Sequence, residues 1–306
     1  MPLHSGFGPW QGLSAGVFEL NQDRKTLGDP SVWSGLWYPP CLNITLTYAS
    51  RNAVPTALLQ KCKKSIERQL SIQNLQNCSS WQDVSNVLDS GFFDEESFIG
   101  SETLCFRAHK PSQLVSSTTN AAEFISLLYE TQLLERACLA MDPDCTPEKA
   151  QAAGSSRAIR LAQVALRYPG AGEGGRHIDG VDRGISAPFD CLAGVALSDQ
   201  TQPSAGNLVV WPGSHTVTLR QLAASSPGLK PAPSSPEEAA KQRDTIRQIV
   251  HDAAPGKGEE VFLCAGDAII ANQKLVHSGG ENTTAQLRCS VYFRIKGPLS
   301  APLSGL

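Results

Sequence analysis

The stretch GGRHIDG, residues 174–180, sets a histidine and an aspartate two places apart between glycines. On an extended backbone residues i and i+2 project to the same side, so the His177 imidazole and the Asp179 carboxylate can converge on one cation while Ile178 faces away. Of the six histidines, at 4, 109, 177, 215, 251 and 277, His177 alone has an aspartate two residues on in a strand-and-turn setting. His251 is followed directly by Asp252, but it lies near the end of a helical pattern, where a histidine serves as a solvated or helix-terminal residue. A third ligand must arrive from elsewhere. His277, 100 residues after His177 and following a Gly266-Asp267 turn and an apolar strand, is the candidate. Two histidines and one carboxylate on one face leave three positions of an octahedron open, as iron chemistry with a bidentate co-substrate and dioxygen requires.

Working outward, short β-prone segments bounded by turn residues occupy 160–168, 191–197, 208–211, 260–263, 268–271 and 289–295. Segments of this kind predict a mainly β fold, a sandwich or jelly roll, with flanking α structure. The helical period lies upstream. Apolar residues recur at near-helical spacing from Val54 to about Gln76, and again from Asn120 to about Met141, where Phe124, Leu127, Leu128, Leu134 and Cys138 share a stripe. Both stripes are expected to pack on the core. Residues 1–156 therefore read as a helical and loop region supporting a β core at 157–306, the whole forming one structural domain. A long insertion at 223–258 interrupts the strands. Its proline-rich first part reads as a flap, and its second part as a helix with Ser235 as cap, Pro236 at the first position and Glu238 completing a capping box.

Composition narrows the function classes. With 306 residues, 41% hydrophobic, the chain can bury a substantial core unaided. A formal net charge of −3 gives no general attraction to phosphate backbones, so nucleic acid is not an expected partner. Nine scattered cysteines fit neither paired zinc spacing nor a complete disulfide framework and suit a reducing compartment. No window is long and apolar enough for a membrane span, and the start lacks the pattern of a signal peptide. An intracellular, cytoplasmic protein acting on a small molecule is expected. The final Ser304-Gly305-Leu306 lacks the basic middle residue of a peroxisomal tripeptide.

Arg288 stands at the start of the last β-prone segment, where its planar fork can enter the barrel and grip a carboxylate bidentately. With it, the stretch from Arg160 to Lys296 resembles the phytanoyl-CoA dioxygenase family of Fe(II)/2-oxoglutarate-dependent oxygenases. The resemblance is carried by HIDG at 177–180, GVALSD at 194–199, GNLVVWPGSH at 206–215, GDAII at 266–270, HSGGEN at 277–282 and Arg288. It implies a double-stranded β-helix of cupin-like type with helices outside, Fe(II) held by His177, Asp179 and His277, and the co-substrate 2-oxoglutarate anchored by Arg288, with dioxygen as oxidant. By the same analogy Gln163 and Ser290 contact the co-substrate, while Trp211 and His215 shape the pocket and its turn, His215 not being a ligand. The implied reaction is hydroxylation of an aliphatic carbon of a small-molecule or acyl substrate, with release of succinate and carbon dioxide. An acyl-CoA would call for basic residues near the mouth, for which Arg176, Arg183, Arg220, Lys230, Lys241 and Arg243 are candidates. Two other readings use the same triad. A cupin-type dioxygenase or zinc hydrolase would not need Arg288, and a non-catalytic binding barrel would keep the fold with a vestigial site.

Overall fold

The structure is a computed structural model that describes residues 17–20, 47–50, 52–72, 74–89, 97–100, 103–109, 122–131, 133–141, 146, 148, 161–179, 191–225 and 235–295. Most of the Trp- and Pro-rich first forty residues, most of 142–156, the proline-rich 226–234, Arg183, Lys230 and the C-terminal tripeptide lie outside them.

Two sheets face each other. The larger is ordered β1-β2-β9-β6-β11-β5-β4-β3 and the smaller β10-β7-β8. In chain order the strands are β1 (Val17–Leu20), β2 (Thr47–Ser50), β3 (Ser97–Gly100), β4 (Thr103–His109), β5 (Leu161–Arg167), β6 (Cys191–Ala196), β7 (Leu208–Val210), β8 (Glu259–Val261), β9 (Ala268–Asn272), β10 (His277–Gly279) and β11 (Arg288–Ile295). Every pairing is antiparallel except that of β1 with β2. All six expected β segments are strands. The sequence signals no strand in the N-terminal part, yet β2 pairs with β9 and β4 with β5, extending the sheet on both sides. Such short segments have little strand character of their own and are extended because a partner edge is there to pair with.

Period two decides what each strand shows to each side. Val291, Phe293 and Ile295 of β11 join Ala193 and Val195 of β6 and Val164 and Leu166 of β5 against the helices. These are α1 (Thr56–Ile72), α2 (Trp81–Asp89), α3 (Ala122–Tyr129) and α4 (Leu133–Met141). The opposite face of the large sheet meets the small one through Ala196, Ile269 and Ala271 against Leu208, Val210 and Val261, with Tyr292 packed on them. The stripe from 120 to 141 is two helices rather than one. Thr131 donates its hydroxyl to the Leu127 carbonyl, which takes an acceptor the continuing helix would use. The start of α2 is marked by a reciprocal cap in which Ser80 N donates to Asp83 Oδ2 (2.9 Å) and Asp83 N to Ser80 Oγ (3.2 Å).

α5 (Ser214–Ser225) leads into the insertion and α6 (Pro236–Ala253) lies within it, capped by Ser235, whose side chain accepts from Glu238 N. The helical part is not a free flap. Ile246, Ile249, Val250 and Ala253 of α6 bury against Val209, Trp211, Ile178 and Val276. The last two are chain neighbours of candidate ligands. Among the described residues no helix is long and apolar enough to cross a membrane.

Candidate metal centre

The loop after β5 is laid alongside residues 277–282 by backbone hydrogen bonds: Gly170 N to Asn282 O (2.7 Å), Asn282 N to Ala171 O (2.8 Å) and Gly174 N to Gly279 O (2.7 Å). The ladder ends in a reciprocal pair at 3.0 Å between the backbones of His177 and His277. Arg167, buried at the end of β5, donates to the Gly172 carbonyl, and Asn282 Nδ2 donates to Arg167 O (2.9 Å), so the loop is tied at its root. Ile178 turns into the α6 contact, which leaves His177 and Asp179 on the other side.

One ligand atom from each of His177, Asp179 and His277 lies within 4.8 Å of the others, and His277 Nε2 stands 3.8 Å from Asp179 Oδ2. An ion with bonds of about 2.2 Å spans at most about 4.4 Å between two ligands. The cluster is therefore within a few tenths of an ångström of a single-ion site. Both imidazoles are oriented from behind. His177 Nδ1 is 2.9 Å from Gly175 O and His277 Nδ1 2.9 Å from Leu275 O. A carbonyl can only accept, so each Nδ1 carries the proton and each Nε2 presents a lone pair. The donor set, two neutral imidazoles and a carboxylate, fits a first-row divalent ion.

Electrostatics agree with this. Burial, reinforced by His177, pushes the His277 imidazole down to about 4 from 6.5, so it is neutral at pH 7 and needs no proton displaced to bind a metal. Burial works to raise the Asp179 carboxyl, but its closeness to His277, Arg294 and His177 outweighs this and holds the group below its ordinary range. The His277 shift has a sign that can be tested. A folded-state pKa below the unfolded value means that stability is fully present above pH 6.5 and is lost as pH falls toward 4. Melts of the metal-free protein are expected to lose roughly 3 kcal/mol over that window, and His277→Gln should remove that component of the loss. An equal loss in both proteins would reject the assignment.

The inward row of β11 is Arg288, Ser290, Tyr292 and Arg294. Arg288 is 4% exposed; its Nε donates to Gln200 Oε1 (3.4 Å) and its Nη2 to Tyr292 Oη (2.5 Å). Gln200, fully buried, also donates to Ser290 Oγ (3.1 Å). Among the described residues no carboxylate pairs with Arg288, and directly across the ladder stands Arg167, a second buried guanidinium. Gly194 makes room for this arrangement: a Cβ there would lie 2.8 Å from the Tyr292 ring and 2.9 Å from Ile269. Gly194→Ala is expected to displace Tyr292 and with it Arg288, weakening binding of a dicarboxylate about tenfold or more, as loss of one hydrogen bond to a charged group does. Unchanged binding in a folded Gly194→Ala protein would show that Tyr292 does not support Arg288.

Gln163 Oε1 accepts from Arg294 Nη1 (2.7 Å), and Arg294 Nη2 donates to Asp179 Oδ1 (3.3 Å). Arg294, Gln200 and Tyr292 escaped the sequence reading. The first and third share the two-residue period of Arg288 and were findable from it, whereas Gln200 carries no such signal. Trp211 is buried, with the Arg176 guanidinium 4.7 Å above its ring and Arg176 Nη1 donating to Ala254 O (2.8 Å). His215 is fully buried outside the triad, and burial pushes its imidazole down. His251 is exposed beside Asp252, and Arg220, Lys241 and Arg243 are exposed along α5 and α6.

No protein-family model and no curated protein matches the chain. Several solved structures align with it over most of their length. AviO1 from Streptomyces viridochromogenes Tue57 shares 20% identity over 82% of this chain and 89% of its own, with a TM-score of 0.44. The non-heme alpha ketoglutarate dependent carbocyclase SnoK from nogalamycin biosynthesis shares 14% over 85% and 86%, at 0.48. A Pseudomonas putida prolyl-4-hydroxylase shares 14% over 81% and 92%, at 0.41. The chemistry assigned to this chain rests on its own side chains.

Proposed function

We propose that this chain is a non-haem Fe(II)- and 2-oxoglutarate-dependent oxygenase built on a double-stranded β-helix of the phytanoyl-CoA dioxygenase type. On this reading residues 157–306 form the catalytic core and 1–156 its support. The observation that carries the proposal is the convergence of His177, Asp179 and His277 to within 4.8 Å, with both histidines turned Nε2-first. Arg288 supports the choice of co-substrate. A buried cation without a carboxylate calls for an anion, and a guanidinium fork matches the far carboxylate of a keto acid.

When bound, Fe(II) and 2-oxoglutarate supply the oxidation: dioxygen converts the keto acid to succinate and carbon dioxide while a substrate C–H becomes C–OH. The chain's residues bind, orient and exclude water. His177, Asp179 and His277 would hold the ion. Arg288, held by Gln200 and Tyr292, would receive the distal carboxylate, with Ser290 linked to it through Gln200. Asp179 bears on the outcome. A carboxylate at this place would serve as a ligand where a halogenase needs room for a halide, which favours hydroxylation of an aliphatic carbon over halogenation. A small-molecule or acyl substrate would approach from the side where His177 is exposed.

Anaerobic titration of the purified chain with Fe(II) and then 2-oxoglutarate tests the proposal. The expected result is the weak visible charge-transfer band of a chelated keto acid. Metal binding without the band would favour a cupin-type enzyme that does not use 2-oxoglutarate. Failure to bind metal would favour a non-catalytic barrel.

A further inference from the structure

We infer that Arg294, steadied by Gln163, is a positioning residue that restricts Asp179 to one metal-binding oxygen. The inference rests on the reading of His177, Asp179 and His277 as a metal site. Asp179 has two oxygens, and the structure uses them differently. Oδ1 accepts from Arg294 Nη2 at 3.3 Å, while Oδ2 faces His277 Nε2 at 3.8 Å. A carboxylate free to rotate can chelate an ion through both oxygens, as it often does with Ca²⁺, and would then take a second coordination position. With Oδ1 engaged by a guanidinium, only Oδ2 is presented.

Arg294 is itself braced. Its Nη1 donates to Gln163 Oε1 at 2.7 Å, so the planar fork is held at two points, one on β5 and one on the ligand. The register explains the reach. Tyr292 lies directly opposite Gln163 on the β11–β5 ladder, so Gln163 is the diagonal neighbour of Arg294 on the same face, within range of a long side chain. Asp179 is further tied through its backbone, whose carbonyl accepts from Gln273 Nε2 at 3.2 Å. Gln163 thereby acts on the metal site through Arg294 rather than by touching an ion.

Metal affinity decides the matter because the two possible roles of Arg294 predict opposite signs. A guanidinium acting only as a nearby positive charge repels a divalent cation, so its removal would tighten binding. A positioning group does the reverse, since loss of a partner that orients a ligand typically weakens metal binding about 10–100-fold. The test is titration of the full chain with Mn(II), read by the EPR signal of the free ion, together with the visible spectrum of the Co(II) form. Wild type, Arg294→Met and Gln163→Leu are compared. Weaker Mn(II) binding by Arg294→Met, a smaller change in the same direction for Gln163→Leu, and altered Co(II) bands in both are expected. Equal or tighter binding by Arg294→Met would overturn the inference. If Arg294→Met does not fold, Gln163→Leu carries the test alone, and wild-type affinity in that variant overturns it. A wild-type chain that takes up no Mn(II) or Co(II) overturns the metal site itself, an outcome distinct from a bound metal indifferent to Arg294.

Discussion

His177→Ala is expected to abolish Fe(II) binding and the keto-acid charge-transfer band while leaving the metal-free protein folded. The two effects separate because the side chain and backbone of His177 do different work. The imidazole is exposed; it donates to Gly175 O, two residues away, and lies beside the His277 ring with centroids 4.4 Å apart, so truncating it opens no core cavity. The backbone pairing with His277 survives any side chain except proline. Metal-free stability should therefore change by no more than about 0.5 kcal/mol, as for a surface substitution. Metal affinity should fall by more than about 100-fold, beyond what loss of a merely supporting group costs. Thermal melts with and without Fe(II) measure both at once. Metal at 100 times its Kd stabilises a folded protein by about 2.7 kcal/mol, a gain expected in wild type and absent from the variant. A variant that kept this gain would remove His177 from the ligand set.

Arg288→Ala should raise the 2-oxoglutarate requirement by on the order of 100- to 1,000-fold, with metal affinity left intact. Truncating one partner of a buried, charge-assisted pair costs about 2–5 kcal/mol of binding. Here the guanidinium bonds Gln200 and Tyr292, with Arg167 as its cross-strand neighbour and no carboxylate paired with it among the described residues, so an incoming anion gains its full attraction. None of its hydrogen bonds involves a triad residue, hence the expected indifference of metal binding. Arg288→Lys supplies an internal control: it keeps the charge but loses the fork, and should fall between alanine and wild type. Succinate release measured against 2-oxoglutarate concentration reads the effect. An unchanged dependence in Arg288→Ala would place the co-substrate elsewhere.

Under the proposed function, hydroxylation would require the Asp179 carboxylate to remain a single-oxygen ligand, the state that the Arg294 contact would favour. A site that relaxed to two carboxylate oxygens would have fewer open positions for the keto acid and dioxygen together. The same strand, β11, presents Arg288 near one end and Arg294 near the other on one face, so its register sets how the proposed co-substrate anchor and the guanidinium beside Asp179 stand relative to each other.

Much of this was determined by the sequence alone, and the reason is locality. The two-residue period puts His177 and Asp179 on one side and Ile178 on the other, and Ser235, Pro236 and Glu238 start α6, because those relations span only a few bonds. The β segments from Leu161 onward were legible for the same reason. β10 was not, since His-Ser-Gly has no strand signature and is extended because it pairs with β7 on one side and with the loop ending at His177 on the other. Likewise β2 and β4 exist as strands through β9 and β5. Only the tertiary structure decided which backbone lies opposite His177, that α6 presses on Ile178 and Val276 instead of standing free, and that Gln163 serves Arg294. Each of these joins residues far apart in the chain, and which of them meet depends on sheet register and on the packing of two layers.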